Sequence, residues 1–506
     1  MKRSMLDRRQ FIKLASLLPA TRFFASPTRS LQIPGANNIL IILFDALSAR
    51  NVSLYGYPRE TMPNLARFAE QATVYHNHIA GGNFTSPGTA SLLTGTYSFT
   101  HKAFHNYSEV KPEFVQKNIF GLFDQYYRLV YSQNPLVEVL FNQFQDNFEL
   151  YKLSHELFIS SSFITHLFPG DEDISTLSWY QWNSKEANPV TGSLFMPDLE
   201  YYLRKSITES YADQFPRGLP EVRGVGYYLI ELTLDWVMRS LLEVPKPHLF
   251  YIHLLPPHSP YRARSEFVDT LDDGWMPPQK PNHLFSMGID PENMYENRRF
   301  YDEYIQYVDA EFGRLNNWME DNGIFEDTWV VFTSDHGEIF ERAMVRHAKP
   351  TFLHPLVHIP LLIRSPGQTQ RLDIHQPTNA VDVLPTLLQA NKQPLPNWLE
   401  GEVLPPYGSQ NPSLDRAFLA FDGREFYSGE KVTKGTAMIL RWPYKLTYYW
   451  RHQVMKGNPE YIELFDIHTD PEELCNLSTE RRQLSLELLA ELKEHIKKSG
   501  QITFPK

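Results

Sequence analysis

Two runs of residues limit what this chain can fold into. Ile39-Leu40-Ile41-Ile42-Leu43-Phe44 is apolar throughout, and Trp329-Val330-Val331-Phe332-Thr333-Ser334 is nearly so; each is followed at once by an aspartate, Asp45 or Asp335. An unbroken apolar run of strand length has no solvent face, so it predicts a strand buried on both sides, as in a parallel sheet covered by helices. In open sheets of that kind, chemistry gathers outside the carboxyl ends of the strands, which is where both acids fall. Tyr127–Tyr131, His248–Leu255 and Ile359–Arg364 read as further strands. Helices are expected from Thr61 to about Gln71, over Gly226–Leu242, over Asn297–Asp321 with Tyr304, Val308, Phe312 and Leu315 at helical spacing, and over Val381–Ala390. Strands alternating with helices predict an α/β fold with a mostly parallel sheet flanked by helices.

A proline-rich stretch from Lys392 to Pro412 marks a boundary. Beyond it, the β-like segments Arg416–Phe421, Ala437–Trp442 and Tyr444–Tyr448 and a helix over Thr479–Lys498 predict a smaller C-terminal α+β subdomain. The expected division is 1–33 as leader and linker, 34–410 as the main domain with an insert at about 101–245, and 411–506 as the subdomain. The insert shows no repeat, and its aromatic run from Phe104 to Trp182 is expected to serve core packing before it lines any cleft.

Thr85-Ser86-Pro87-Gly88-Thr89-Ala90-Ser91-Leu92-Leu93-Thr94-Gly95 opens on a hydroxyl, has proline in its first turn and closes on glycine. Proline suits a helix start and glycine the position past its end, so Thr85 is expected at a helix N-terminus, where unpaired N–H groups favour an anion. Asp45 and Asp335 at strand ends, with His336, give hard oxygens and one imidazole, a set suited to one divalent cation: zinc, manganese or calcium. Asp-His-Gly also forms ordinary turns, so the pairing with a second strand-end acid carries the weight. His253, on a buried strand, is expected to be a satisfied core histidine; His354 and His358 are read as structural, and nothing fixes a role for His78 or His101.

A formal net charge of −11 argues against a nucleic-acid partner, which would need a basic face. Cys475 is the only cysteine, so no internal disulfide can form. No apolar run approaches the roughly 20 residues of a membrane span. Asp7-Arg8-Arg9-Gln10-Phe11-Ile12-Lys13, ahead of the mildly apolar Leu14–Ala25, is expected to be a twin-arginine export signal, with cleavage near Ala25 or Ser26, placing a bacterial protein in the periplasm or outside the cell. A basic amphipathic helix is the plainer alternative.

These residues resemble the sulfatase family of the alkaline phosphatase superfamily. Phe44-Asp45-Ala46-Leu47, Leu54–Pro58 and Thr61–Leu65 look like its opening, and Thr85–Gly95 is similar to its nucleophile block, C/S-x-P-x-R-A-x-L-L-T-G. Tyr307–Glu311 and Val331–Glu338 resemble its later metal block. Tyr251–His253 through Pro257–Tyr261 resembles the loop with a substrate-binding histidine, and Glu463–Asp466 with Asp470–Glu473 and Asn476-Leu477 its C-terminal signature. The resemblance makes 34–410 a catalytic domain and implies a hydrolase of sulfuric or phosphoric esters, acting on a small molecule or on a glycan or lipid ester.

Departures from the family pattern are as informative. Thr85 and Thr89 stand where the family has the cysteine or serine converted to formylglycine and the arginine four residues on, and Ala46 replaces a second consecutive aspartate. Threonine carries a methyl on Cβ, so oxidation could give a ketone and never that aldehyde. Asp45, Thr85, Asp335 and His336 remain, a set similar to that of threonine-using phosphoethanolamine and phosphoglycerol transferases, and imply a metal-bound threonine nucleophile. His347 and Lys349, in a stretch similar to the family's K-G-T-L-Y-E block, are candidates to hold the anion's outer oxygens, and His258 to protonate the leaving group. A phosphotransferase and a binding homologue without catalysis are the alternatives.

Overall fold

The computed structural model describes residues 36–161, 202–222, 225–408, 415–424, 432–455, 457–498 and 500. The expected twin-arginine segment lies outside them, as does the aromatic run beyond residue 161.

The main sheet has eight strands. In chain order they are β1 (Asn38–Phe44), β2 (Thr73–Ile79), β3 (Tyr127–Ser132), β4 (Leu150–Lys152), β5 (His248–Leu254), β6 (Thr328–Thr333), β7 (Leu361–Arg364) and β8 (Leu372–Asn379). Across the sheet they stand β8-β2-β7-β6-β1-β5-β3-β4. Only β7 runs against its neighbours; β1 pairs in parallel with both β5 and β6.

The unbroken apolar runs sit where both faces are covered. Leu40, Ile42 and Phe44 face Tyr304, Val308 and Phe312 of the long helix Pro291–Asp321, whereas Ile39, Ile41 and Leu43 face Ala90, Leu92 and Leu93 of the helix Thr85–Thr94. Alternation along one strand thus fixes a helix on each side. The long helix starts at Pro291, six residues before the expected Asn297, with Asp290 Oδ1 accepting from Asn293 N. Its first turns are solvent-exposed and give no apolar period. Gly226–Tyr228 is a strand, and the helix expected from Gly226 begins at Ile230.

The strands β2 and β8 were not expected. β8 is an edge strand with exposed residues, a proline and a register irregularity between Ile374 and Pro377, and β2 beside it carries two histidines and an asparagine. Edge positions need little apolar character, so hydropathy does not mark them.

The C-terminal part is a four-stranded antiparallel meander of β9 (Ala417–Asp422), β10 (Gly435–Arg441), β11 (Tyr444–Trp450) and β12 (Glu460–Asp466). Leu488, Leu492 and Ile496 of the helix Arg482–Lys498 pack on one face; Phe352, Leu353 and Leu356 of the main domain pack on the other. Within the insert, Phe120, Phe141 and Phe144 belong to the core under the main sheet, as expected of the aromatic run.

Candidate active site

Register places the site. Leu43 on β1 is level with His253 on β5 and Thr333 on β6, and His253 is level with Ser132 on β3. The residues at these carboxyl ends, Asp335, Asp45, His253 and Asn134, therefore stand side by side.

The two carboxylates are half-satisfied in complementary ways. Asp335 Oδ1 accepts from His336 N at 2.9 Å and Ala46 N at 3.2 Å. Ala46 has φ +62°, the left-handed turn that brings this N–H back towards the acid. Asp45 Oδ2 accepts from Asn134 Nδ2 at 2.5 Å and His253 Nε2 at 3.0 Å. Asp45 Oδ1 and Asp335 Oδ2 are buried with no hydrogen-bond partner among the described residues. His336 Nε2 lies 3.4 Å from the first and 3.6 Å from the second. Its Nδ1 donates to Gly337 O at 2.8 Å, which fixes the ring with Nε2 towards the acids.

Thr85 enters from the first residue of the helix Thr85–Thr94, after an extended Phe84. Its Oγ1 lies 3.4 Å from His336 Nε2 and accepts from Asn134 Nδ2 at 3.3 Å. Asn134 presents its NH₂ inwards because its Oδ1 caps the helix Pro135–Gln143, accepting from Leu136 N at 2.8 Å. Gly88 lets this helix approach the β6 end closely: a Cβ there would stand 2.3 Å from the Asp335 carbonyl oxygen.

Electrostatics mark the pocket as short of positive charge. Burial would raise Asp45, but the hydrogen bond from His253 and the nearness of His336 hold it well below the usual carboxylate range. Asp335 is raised, by burial and then by the charge of Asp45. Burial would lower His336, yet the two carboxylates outweigh it and push the imidazolium up to about 9. Two orphaned carboxylate oxygens in a dry pocket fit a cation, because such atoms otherwise forfeit a full desolvation cost. Donors sharing a small divalent ion at about 2.0–2.4 Å stand roughly 3–4 Å apart, and the donor pairs here lie 3.0 to 3.8 Å apart. Asp45, His253 and Asp335 can offer ligand atoms within 4.8 Å of one another. Asp45, Thr85, Asp335 and His336 meet in one place; His253 is buried with both ring nitrogens hydrogen-bonded, as expected of a satisfied core histidine, and its Nε2 also stands against the two acids. A histidine inside a buried strand carries no local signal that it faces two acids on neighbouring strands.

Asn134 was also not expected. Its only signal was Asn-Pro directly after a strand, which announces a helix cap and here serves as one while its amide faces Thr85.

The remaining candidates form an outer group on loops. His347 Nδ1 donates to Glu338 Oε1 at 2.7 Å, and Glu338 Oε2 accepts from Tyr261 OH at 2.9 Å. The His347 ring is 4.4 Å from that of His336 and 5.0 Å from that of His258. His258 Nδ1 donates to Ser259 O at 2.7 Å, leaving Nε2 for other partners. Burial pushes His347 down to about 4 against the pull of Glu338. Lys349 is half-buried two residues on, its carbonyl accepting from Thr351 N at 2.9 Å. His78 and His101 lie in the core instead, bonded to Thr378 and Ser91. A cavity of about 480 Å³, walled by Tyr57, Trp275, Tyr295, Arg50 and Arg298, touches this group only through Glu338.

The mostly parallel sheet thus carries paired acids and histidines at its carboxyl ends, facing a hydroxyl on a helix start. The family model described as Sulfatase matches residues 37–391, and that of the N-sulphoglucosamine sulphohydrolase C-terminal region matches 347–501. The chain belongs to the sulfatase family, and is a hydrolase acting on sulfate or phosphate ester bonds. It is 22% identical to the choline-sulfatase of Rhizobium meliloti over 471 residues, 88% of this chain and 83% of that one. It is 23% identical to the ulvan-active sulfatase of Formosa agariphila over 411 residues, 78% of this chain and 70% of that one. Among solved structures, the phosphonate monoester hydrolase of Agrobacterium radiobacter superposes with a TM-score of 0.65 at 20% identity, covering 92% of this chain and 96% of that one.

Proposed function

We propose that this chain hydrolyses its ester through Thr85, in two steps. The observation that carries the reading is the position of Thr85 Oγ1. It sits at a helix N-terminus, 3.3 Å from Asn134 Nδ2 and 3.4 Å from His336 Nε2, beside two unpaired carboxylate oxygens. Formylglycine chemistry is closed to a threonine, so the hydroxyl itself must act.

A divalent cation held by Asp45, Asp335, His336 and Thr85 would draw charge from the ester oxygens and ease loss of the threonine proton. Asn134 holds Oγ1 in place through its NH₂. Oγ1, its proton passing to solvent water, bonds to the sulfur or phosphorus of the ester as the bond to the leaving oxygen breaks, and His258 gives that oxygen a proton. His347, steadied by Glu338, and Lys349 would hold the outer oxygens of the transferred group. Water then attacks the sulfo- or phosphothreonine, releasing the inorganic anion and restoring the hydroxyl. The ester would come from a small molecule or from a glycan or lipid, and the Arg8-Arg9 motif supports action after export.

The test is a screen of aryl sulfate, phosphate monoester, phosphodiester and phosphonate substrates, with zinc, manganese or calcium, on the wild-type chain and Thr85→Ala. Activity on at least one ester that falls by about 10⁴-fold or more in Thr85→Ala is expected. Full activity of Thr85→Ala on every ester that the wild type cleaves would overturn the reading.

A further inference from the structure

The donors around the two acids are unevenly chosen. Asp45 and Asp335 each have one oxygen committed to hydrogen bonds: Asp45 Oδ2 to Asn134 and His253, Asp335 Oδ1 to two backbone N–H groups. Among the described residues, Asp45 Oδ1 and Asp335 Oδ2 are the carboxylate oxygens of this pair left without a hydrogen-bond partner. Ala46, next to Asp45, contributes no donor. Asn134 could have supplied an amide oxygen, but the cap of its helix turns that oxygen away and points the NH₂ inwards. Hard oxygen ligands in the cradle therefore reduce to two carboxylate atoms and the Thr85 hydroxyl. Calcium takes 6–8 oxygens, more than these three protein atoms supply.

Nitrogen fills the gap. His253 Nε2 is 3.0 Å from Asp45 Oδ2 and 3.8 Å from Asp335 Oδ2, on the side of the acids served by β5. His336 Nε2 reaches the same pair from the turn after β6. Both rings are fully buried, and each has its other nitrogen engaged: His336 Nδ1 donates to Gly337 O, and His253 Nδ1 accepts from Tyr251 OH at 3.3 Å. Two imidazoles fixed from behind and two carboxylate oxygens are the donors of a four-coordinate site for a borderline-soft ion; imidazole favours zinc, whereas carboxylate and carbonyl sets favour calcium and manganese.

We infer that His253 is a metal ligand of this chain, and that with His336 it makes the cradle select zinc over calcium. The inference rests on the proposal above that the cradle holds a divalent cation, and adds the identity of the ion and the residue that decides it. Coordination through Nε2 needs the Nδ1–H tautomer of His253: the proton now given to Asp45 Oδ2 moves to Nδ1, and Tyr251 OH turns from donor to acceptor.

The full chain, stripped with a chelator, is dialysed against zinc in a large excess of calcium, and bound metal is measured by atomic spectrometry beside thermal melts. The wild type should retain about one zinc per chain and exclude calcium. His253→Ala should weaken zinc by about 100-fold or more, and His253→Asp should bind again but shift the zinc-to-calcium ratio by about 10-fold or more towards calcium. His253→Asp and His253→Gln carry the comparison if His253→Ala fails to fold. Zinc and calcium affinities within about threefold of wild type in folded variants, or a wild type that prefers calcium, would overturn the inference. These readouts do not depend on turnover. A zinc-indifferent chain that still fails as Thr85→Ala would defeat the inference alone. A zinc-selective chain that remains active as Thr85→Ala would defeat only the threonine mechanism. A wild type that binds no divalent ion would defeat the cradle itself.

Discussion

His336 in the cradle and His78 and His101 in the core beneath it are equally sealed from water, each with 0% exposure. Their protonation runs in opposite directions. His336 is pushed up to about 9 by Asp335 and Asp45, against its burial. His78 and His101 are pushed down to about 3 by burial, with no carboxylate against either. Burial alone thus leaves a histidine neutral, and only a pocket overloaded with negative charge reverses it. The difference between the two regions is the physical reason for reading the strand-end pocket as a cation site.

The largest effect should come from lowering that negative charge. Asp335→Asn should abolish metal retention and reduce kcat/KM by about 10³-fold or more. The metal-free variant should melt no lower than the metal-free wild type, because it removes a buried charge with an unpaired oxygen. A variant that loses activity by unfolding would break the comparison.

Next comes Asn134, which joins the cradle to the helix behind it. Asn134→Ala should lower kcat by about 10–100-fold through loss of the amide on Asp45 and Thr85, and lose about 1 kcal/mol of stability through the cap. Asn134→Ser keeps a capping oxygen, so it should restore the melt and not the rate. Equal rescue of both would show that Asn134 is only a cap.

A smaller effect is expected on the outer group. Glu338→Gln leaves His347 without a charged acceptor and should cost roughly 10-fold in kcat with metal content unchanged. Loss of metal in this variant would show that the outer group and the cradle are one unit.

The core histidines give the smallest and most gradual effect. Their folded values near 3 lie below the usual 6.5, so below pH 6.5 the unfolded chain binds protons that the folded chain refuses. Their contribution to stability is complete above pH 6.5 and fades as pH falls towards 3. The melting temperature should decline through that window, and His101→Gln should flatten the decline. An unchanged slope would indicate that His101 is not held neutral in the folded chain.

Asp45, Asp335 and Thr85 were legible in the sequence because local rules mark them: an acid directly after an unbroken apolar strand, and a hydroxyl ahead of a proline-started helix that ends on glycine. The mostly parallel sheet was legible for the same reason, since β1 and β6 lie at its centre and show it in their hydropathy. His253 was not, because its partners are Asp45 and Asp335, 208 and 82 residues away in sequence, and only strand order and register bring them together. Asn134 hid behind its second role as a helix cap. The edge strand β8 hid because a strand with an open edge needs few apolar side chains, and β2 beside it because two histidines and an asparagine break its apolar run.

The most direct test of the account is to quench the chain in acid during turnover of an activated ester and to weigh its peptides. The account predicts the mass of one sulfo or phospho group on the peptide carrying Thr85, absent from Thr85→Ala. Steady turnover with the group never found on Thr85, and undiminished in Thr85→Ala, would contradict it.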